Sequence, residues 1–466
     1  MQSSTDPWNA DAFVFFGATG DLAYKQIFPA LQALVARHGL ALPIVGVAKS
    51  GWDVEQLRAR ARQSLERHGS FDAEAFASLA ALLRYVDGDY NDDATYGQLR
   101  EFLAKATRPL HYLAIPPSMF ARVAEGLARS GCAAGARVVV EKPFGRDLGS
   151  ARSLNAILHR YFSEASIFRI DHFLGREAVQ NILYTRFANR LFEPMWDRTH
   201  VRSVQVTLAE RFGVQGRGRF YEEAGAIRDV IQNHLLQVLA CLAMDPPTGS
   251  GVDAIRDEKV RLLKAVRPLA PADVVRGQFQ GYRDEAGVAR DSRVETFAAV
   301  RLYVDSWRWA DVPFYIRSGK CLPVTVDEVV VEFKRPPRDT FGERLPGPCN
   351  HVRFRLSPEV VIAIGMRVKR AGERMAGENV ELVATHRQGD EMMPYERLLG
   401  DALRGNALLF AREDAVEAQW RIVDPVLGDA TPVYEYPVAS WGPSAASGLL
   451  GPGDAWIDPQ VASVSR

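Results

Sequence analysis

The sequence predicts an α/β domain with a parallel sheet over residues 1–172, followed by an α+β domain with a large, mostly antiparallel sheet over residues 173–466. Three observations carry this expectation. Up to about His172, short apolar runs alternate with helical segments, the pattern of a parallel sheet with crossover helices. Beyond it, apolar positions alternate with polar ones, as in strands with one wet face. With 466 residues, the chain is long enough for two or three domains.

Ala12–Phe16 reads as a buried strand ending in glycine. Ile27, Leu31, Leu34 and Val35 then recur at helical spacing until Gly39. Ile44–Val47 is a second strand. Val54–Arg67 and Ala73–Leu83 read as helices, each preceded by an aspartate suited to N-capping, Asp53 and Asp72. His111–Ile115 is a strand closed by Pro116-Pro117, Ser118–Arg129 a helix stopped near Gly131, and Arg137–Glu141 a further strand. In the second part Val204, Val206 and Leu208 alternate with polar residues. Similar stretches follow at Thr296–Val304, Val329–Phe333, Val352–Leu356 and Val360–Val368. Helices at Arg228–Ala243, Pro394–Leu403 and Ala415–Ile422 are expected to cover the other face of that sheet. From Trp441 on, Gly, Pro and Ser predict a surface segment.

Composition narrows the partners. The 57 Lys and Arg balance the 57 Asp and Glu, so no net field favours nucleic acid or an anionic membrane. No run is apolar enough to span a bilayer, and Met1–Asp11 lacks a secretory pattern, so the cytoplasm is expected. The four cysteines, Cys132, Cys241, Cys321 and Cys349, are scattered, which argues against a zinc site or a disulfide framework; no metal is expected.

Chemistry concentrates in a few places. Gly17-Ala18-Thr19-Gly20-Asp21-Leu22-Ala23 follows a strand and opens a helix. The first glycine permits a tight turn, Gly20 lets backbone approach a pyrophosphate, and Ala23 allows close packing; helix-start N–H groups face the phosphates. A Rossmann domain binding a dinucleotide follows. After the second strand comes Lys49 with no acid until Asp53. A lysine there suits the 2′-phosphate of NADP; a solvated loop lysine is the alternative. Glu141-Lys142-Pro143-Phe144-Gly145 lies at a strand's carboxyl end, where ligands bind and where Pro143 can adopt a cis bond. Arg169-Ile170-Asp171-His172-Phe173-Leu174-Gly175-Arg176 groups an acid, an imidazole and a cation; Asp171 can orient a histidine, or simply cap a helix start. His234, in Arg228-Asp229-Val230-Ile231-Gln232-Asn233-His234, shares a helical face with Ile231, Leu235 and Val238. It is a core histidine or, with a supporting carboxylate, a base.

GATGDLA, LAIPPSMF, EKPFG, RIDHFLG, IRDVIQNH and VPFYIRSGK, in that order, resemble the glucose-6-phosphate dehydrogenase family, and YERLLGDALRG and VEAQWRIVDP extend the likeness over nearly the whole chain. The resemblance implies a Rossmann domain, a β+α domain with a large antiparallel sheet, and a homodimer or homotetramer. It implies oxidation of a sugar phosphate, glucose 6-phosphate, to its lactone with NADP, NAD being possible. It makes His234 the base, Asp171 its partner, Lys142, Glu210 and Asp229 ligands of the sugar hydroxyls, and His172 and Lys320 ligands of the phosphate. Arg176 joins the phosphate set in place of the family's usual lysine. Gly17, Ala18, Thr19, Gly20, Asp21, Leu22, Lys49 and Lys142 would meet the coenzyme. The chain departs from the family at Phe173, where tyrosine is usual, at Arg176, at Thr325, where a second cation is common, and at Gln26, where a lysine is frequent and Lys25 stands one residue earlier. These departures leave open a different or unphosphorylated sugar, or a non-catalytic coenzyme-binding relative. Another Rossmann oxidoreductase group with an EKP strand end is a further alternative, but it lacks the RIDH and QNH pair.

Overall fold

The computed structural model describes residues 8–68, 71–338, 340–341, 350–372, 374–385 and 392–460. Cys349 and most of the Met1–Asp11 stretch lie outside the described residues. The chain divides into two compact units. The first comprises Met1–Glu177, Pro247–Asp257 and Glu391–Glu417; the second comprises Ala178–Pro246, Glu258–Asp390 and Ala418–Arg466.

The first unit is built on six parallel strands: β1 (Ala12–Phe16), β2 (Ile44–Ala48), β3 (Leu83–Asp87), β4 (Pro109–Leu113), β5 (Arg137–Glu141) and β6 (Ile167–Ile170). Their spatial order is β3-β2-β1-β4-β5-β6. Connections therefore reverse direction between β1 and β4, and a crevice opens there at the strand ends. β1, β2 and β4 are buried along their whole length, which is why they read as unbroken apolar runs. The helices start where their caps predict. Asp53 closes a capping box with Gln56 ahead of Val54–Arg67, and Asp72 accepts from the Glu74 and Ala75 N–H groups ahead of Ala73–Leu82. Each such cap contributes about 1 kcal/mol. Gly39, at φ 63°, ends Phe28–His38 in the left-handed conformation. The helix expected through Leu83 stops one residue short, because Leu83 opens β3.

The second unit is built on β7 (Val201–Ala209), β8 (Val274–Phe279), β9 (Phe297–Leu302), β10 (Phe314–Gly319), β11 (Val326–Phe333), β12 (His351–Ser357), β13 (Val361–Lys369) and β14 (Gly377–Thr385). The short strand β15 (Phe410–Ala411) belongs to the first unit, antiparallel to β6; β16 (Val433–Tyr436) returns to the second. The second sheet runs β14-β13-β12-β11-β7-β10-β9-β8-β16. It is antiparallel except where β7 meets β10 and β8 meets β16. The helix Leu236–Ala243 is wholly buried. Its carbonyl end is held by two tryptophans, Trp196 Nε1 donating to Leu242 O at 2.8 Å and Trp309 Nε1 to Ala243 O at 2.7 Å.

One helix sits elsewhere than its sequence suggested. Pro394–Arg404 does not cover the antiparallel sheet. It packs in the first unit on Phe28–His38, where Arg37 meets Glu396 at 3.4 Å and Gly400 faces Leu34. An amphipathic stripe specifies that a helix packs, not against what. Among the described residues, no helix is long and apolar enough to cross a membrane.

Candidate active site

The turn after β1 lies at the crevice. Gly17 has φ 82°, and a Cβ on it would sit 2.2 Å from Ala114 O at the end of β4. Only glycine allows the two strand ends to close this far. Ala18 is buried, and a Cβ on Gly46 of β2 would lie 2.8 Å from its methyl, so this corner admits small residues alone. Gly20 and Asp21 are exposed at the start of the following helix, whose next five residues, Ala23–Ile27, are π-wound. A tight glycine cradle with an exposed helix start is what a pyrophosphate requires, so these residues fit a dinucleotide. Thr19 reaches Ser50, Oγ1 to Oγ 2.8 Å, past the end of β2. Lys49 is exposed beside it and pairs with Asp89 at 2.8 Å. That carboxylate holds the lysine's pKa above its usual value. Lys25 pairs with Asp21 at 3.1 Å on the same helix.

Two further strand ends of the first unit carry candidates. Glu141 closes β5, and the following Lys142–Pro143 bond is cis. Asp171 follows β6, is 1% exposed, and accepts the Phe173 N–H on Oδ1 at 3.0 Å. It therefore caps a turn, not a helix; the next helix begins at Glu177. Phe173 is buried, with the Arg176 guanidinium stacked over its ring at 3.8 Å and the His172 ring edge-on at 5.2 Å. Two of the four departures from the family pattern, Phe173 and Arg176, thus form one contact: the ring holds a planar guanidinium in place.

In the second unit Glu210 follows β7 and Lys320 follows β10. These strands run parallel with Ala209 opposite Gly319, so the two side chains leave side by side and form an ion pair. The Lys320 ammonium also lies 5.1 Å from the Phe212 ring and 5.4 Å from the Tyr221 ring. Thr325 accepts the Arg211 N–H at 3.0 Å. His234 is 3% exposed and sits on Ile227–Leu235. The sequence predicts an α-helix there, but this stretch is π-wound. The wider winding matters for placement. In an α-helix Asp229 and His234, five residues apart, would point about 140° from each other; a π-helix brings positions i and i+5 toward one side. Such windings recur at functional sites.

Two participants were not singled out in the sequence. Tyr221 is buried, and its proton is held tightly by burial and then by the negative charges of Asp229 and Glu210, which face it. Glu295, 4% exposed, starts the π-wound helix: its Oε1 accepts the Ile227 N–H at 3.2 Å, and Arg276 holds its other oxygen at 3.1 Å. Nothing local in the sequence marks either, since their partners lie at least eight residues away and some are far more remote.

Residues 14–181 match the family model of the glucose-6-phosphate dehydrogenase NAD-binding domain, and residues 183–457 match the model of its C-terminal domain. The chain belongs to the glucose-6-phosphate dehydrogenase family. It is 44% identical to glucose-6-phosphate 1-dehydrogenase 1 of Mycobacterium tuberculosis (strain CDC 1551 / Oshkosh), covering 97% of each chain. Its structure is similar to the crystal structure of glucose-6-phosphate 1-dehydrogenase from Mycobacterium avium, with TM-score 0.91 and 42% identity over 98% of this chain and 100% of that one. It is also similar to a glucose-6-phosphate dehydrogenase solved in complex with its substrate glucose 6-phosphate, with TM-score 0.89 and 35% identity over 96% and 98% of the two chains. As a member of the family the chain is an NAD(P)-using oxidoreductase that binds a sugar phosphate.

Proposed function

We propose the residue roles and the coenzyme for the oxidation of glucose 6-phosphate to 6-phosphogluconolactone, the reaction of this family. His234 takes the proton from the anomeric hydroxyl. Asp171 orients the imidazole and stabilises the imidazolium that forms. Lys142, Glu210 and Asp229 bind sugar hydroxyls; His172, Arg176 and Lys320 bind the 6-phosphate. A guanidinium flattened on the Phe173 ring is preset for two parallel hydrogen bonds to phosphate oxygens. Gly17, Ala18, Thr19, Gly20, Asp21 and Leu22 cradle the coenzyme diphosphate. Lys49 meets the adenosine 2′-phosphate, which makes NADP the preferred coenzyme, and Lys142 approaches its reactive end. When bound, the nicotinamide supplies the hydride acceptor. The enzyme works as a cytoplasmic homodimer or homotetramer, supported by the exposed Val368, Leu382 and Val383 on β13 and β14.

The observation that carries the reading is the buried His234 on a π-wound helix that also bears Asp229, in the unit where Glu210 and Lys320 stand paired. A matrix of coenzymes against sugars tests it first. NADP reduction should require glucose 6-phosphate; equal turnover of the unphosphorylated sugar, or tight coenzyme binding without turnover, overturns the assignment. His234→Asn should then lower kcat by about 10²–10⁴-fold while KM for the sugar phosphate changes little. Near-normal turnover would reject His234 as the base.

A further inference from the structure

Glu141 ends β5, and Ile170 stands directly beside it across the parallel ladder to β6. Lys142 and Asp171, the next residue on each strand, therefore leave two adjacent strand ends. Glu141 itself is gripped from two sides. Tyr112 on β4 donates to its Oε1 at 2.5 Å. Tyr395, in the first turn of Pro394–Arg404, donates to the same carboxylate. The Asp171 charge also acts on Tyr395, so this one phenol lies within electrostatic reach of both strand ends. The helix that brings it is fixed against the Asp171 turn: a Cβ on Gly175 would lie 2.9 Å from Leu398 and 3.0 Å from Pro394 O.

This arrangement is costly for stability. Burial pushes the Glu141 carboxyl up to about 6, against the opposing pull of Tyr112, Tyr395 and Lys142. Burial first, and the Glu141 charge next, hold the Tyr112 and Tyr395 protons far above the usual phenol range, so both remain donors. A neutral side chain of the same size would remove the desolvation cost. A carboxylate kept here at a stability disadvantage, one residue before Lys142, points to a role in placing the site.

We propose that Glu141 and Tyr395 are positioning residues, which set Lys142 and Asp171 in register at their adjacent strand ends. The inference rests on the roles given above to Lys142 and Asp171. It predicts that loosening the grip misplaces both groups, and a misplacement of about 1 Å costs about 10²-fold in rate.

The test uses the full-length chain with Glu141→Gln, Tyr395→Phe and the double variant. Glu141→Gln should keep or raise Tm while kcat with NADP and glucose 6-phosphate falls about 10²-fold. Tyr395→Phe should lower kcat in the same direction. The double variant should be no slower than Glu141→Gln alone, since both act through one contact. The acid limb of kcat/KM should move in Glu141→Gln; the groups facing this carboxylate are Tyr112, Tyr395 and Lys142, with Asp171 beyond Tyr395. Wild-type kcat with an unmoved pH profile overturns the inference, as does a fall in kcat accompanied by a lowered Tm in Glu141→Gln. If His234→Asn is inactive and Glu141→Gln is not, this inference fails while the reading of the site stands. If the wild type oxidises no sugar phosphate, both fall.

Discussion

One methyl group added at Gly225 should do severe damage. The glycine's backbone, φ 65° and ψ 172°, lies in a region open essentially to glycine alone, and an alanine there costs on the order of 1–3 kcal/mol in strain. A Cβ would also lie 2.4 Å from Glu295 Oε1, closer than nonbonded atoms tolerate. The carboxylate has to move, which removes the acceptor of the Ile227 N–H and loosens the buried pair with Arg276, 3.1 Å away. An unsatisfied buried N–H costs about 1–3 kcal/mol, and breaking a buried pair about 3–5 kcal/mol when one partner is lost outright. With partial relaxation, Gly225→Ala should cost about 3–6 kcal/mol, a large share of the 5–15 kcal/mol that holds a typical domain together. Urea unfolding followed by tryptophan fluorescence measures it, read as a shift in midpoint at constant slope. The collision can be separated from the strain. In a Glu295→Ala background the same glycine change should cost only the strain, about 1–3 kcal/mol. A loss below about 1 kcal/mol in the wild-type background, or equal losses in both, would refute the steric account and with it the view that Glu295 starts the helix bearing Asp229 and His234.

Three further outcomes follow from charge. His111 on β4 is fully buried with its Nε2 on Cys132 O at 2.8 Å, and burial pushes its pKa down to about 4. The unfolded chain takes up this proton near pH 6.5 and the folded one near 4, so the stability it confers is complete above 6.5 and is lost as pH falls toward 4. The loss is about 3 kcal/mol, and His111→Gln should flatten the pH dependence of the urea midpoint over that range; an unchanged slope would contradict the assignment. Lys49→Ala should raise KM for NADP about tenfold, the weight of one charge-assisted contact, and leave kinetics with NAD nearly unchanged. Asp89→Asn should lower KM for NADP, because it removes the carboxylate that holds Lys49 at 2.8 Å. Parallel changes with both coenzymes would show that Lys49 does not meet the 2′-phosphate.

The features legible in the sequence are those with a local physical cause. An apolar strand, a glycine that must turn and an aspartate that must cap leave their mark within a few residues, and so β1, Gly17, Asp53 and Asp72 were readable. The motif around Asp171 and His234 was readable by its likeness to a family. The π-winding at Ile227–Leu235 was not, because Ile227, Val230, Ile231 and Leu235 fall at ordinary α-helical spacing and nothing in that pattern marks the wider turn. The role of Glu295 was hidden for a different reason: its partners Ile227 and Arg276 are remote in sequence and meet it only through the second sheet. The packing of Pro394–Arg404 was hidden because its apolar stripe fits any apolar surface.

The last segment of the first unit has a consequence for how the chain matures. β15 borders β6, and the helix just before it carries Tyr395 to Glu141, yet this segment, Glu391–Glu417, is synthesised more than two hundred residues after β6. A ribosome releasing the chain from its N-terminus exposes the edge of β6 and leaves the Glu141 carboxylate short of one donor for most of the translation time. The coenzyme turn between β1 and β4 is made early, but the helix that follows it, Phe28–His38, packs on Pro394–Arg404 of this late segment, so full dinucleotide affinity also waits on the late part of the growing chain. The arrangement of Lys142 and Asp171 should arise only near its end.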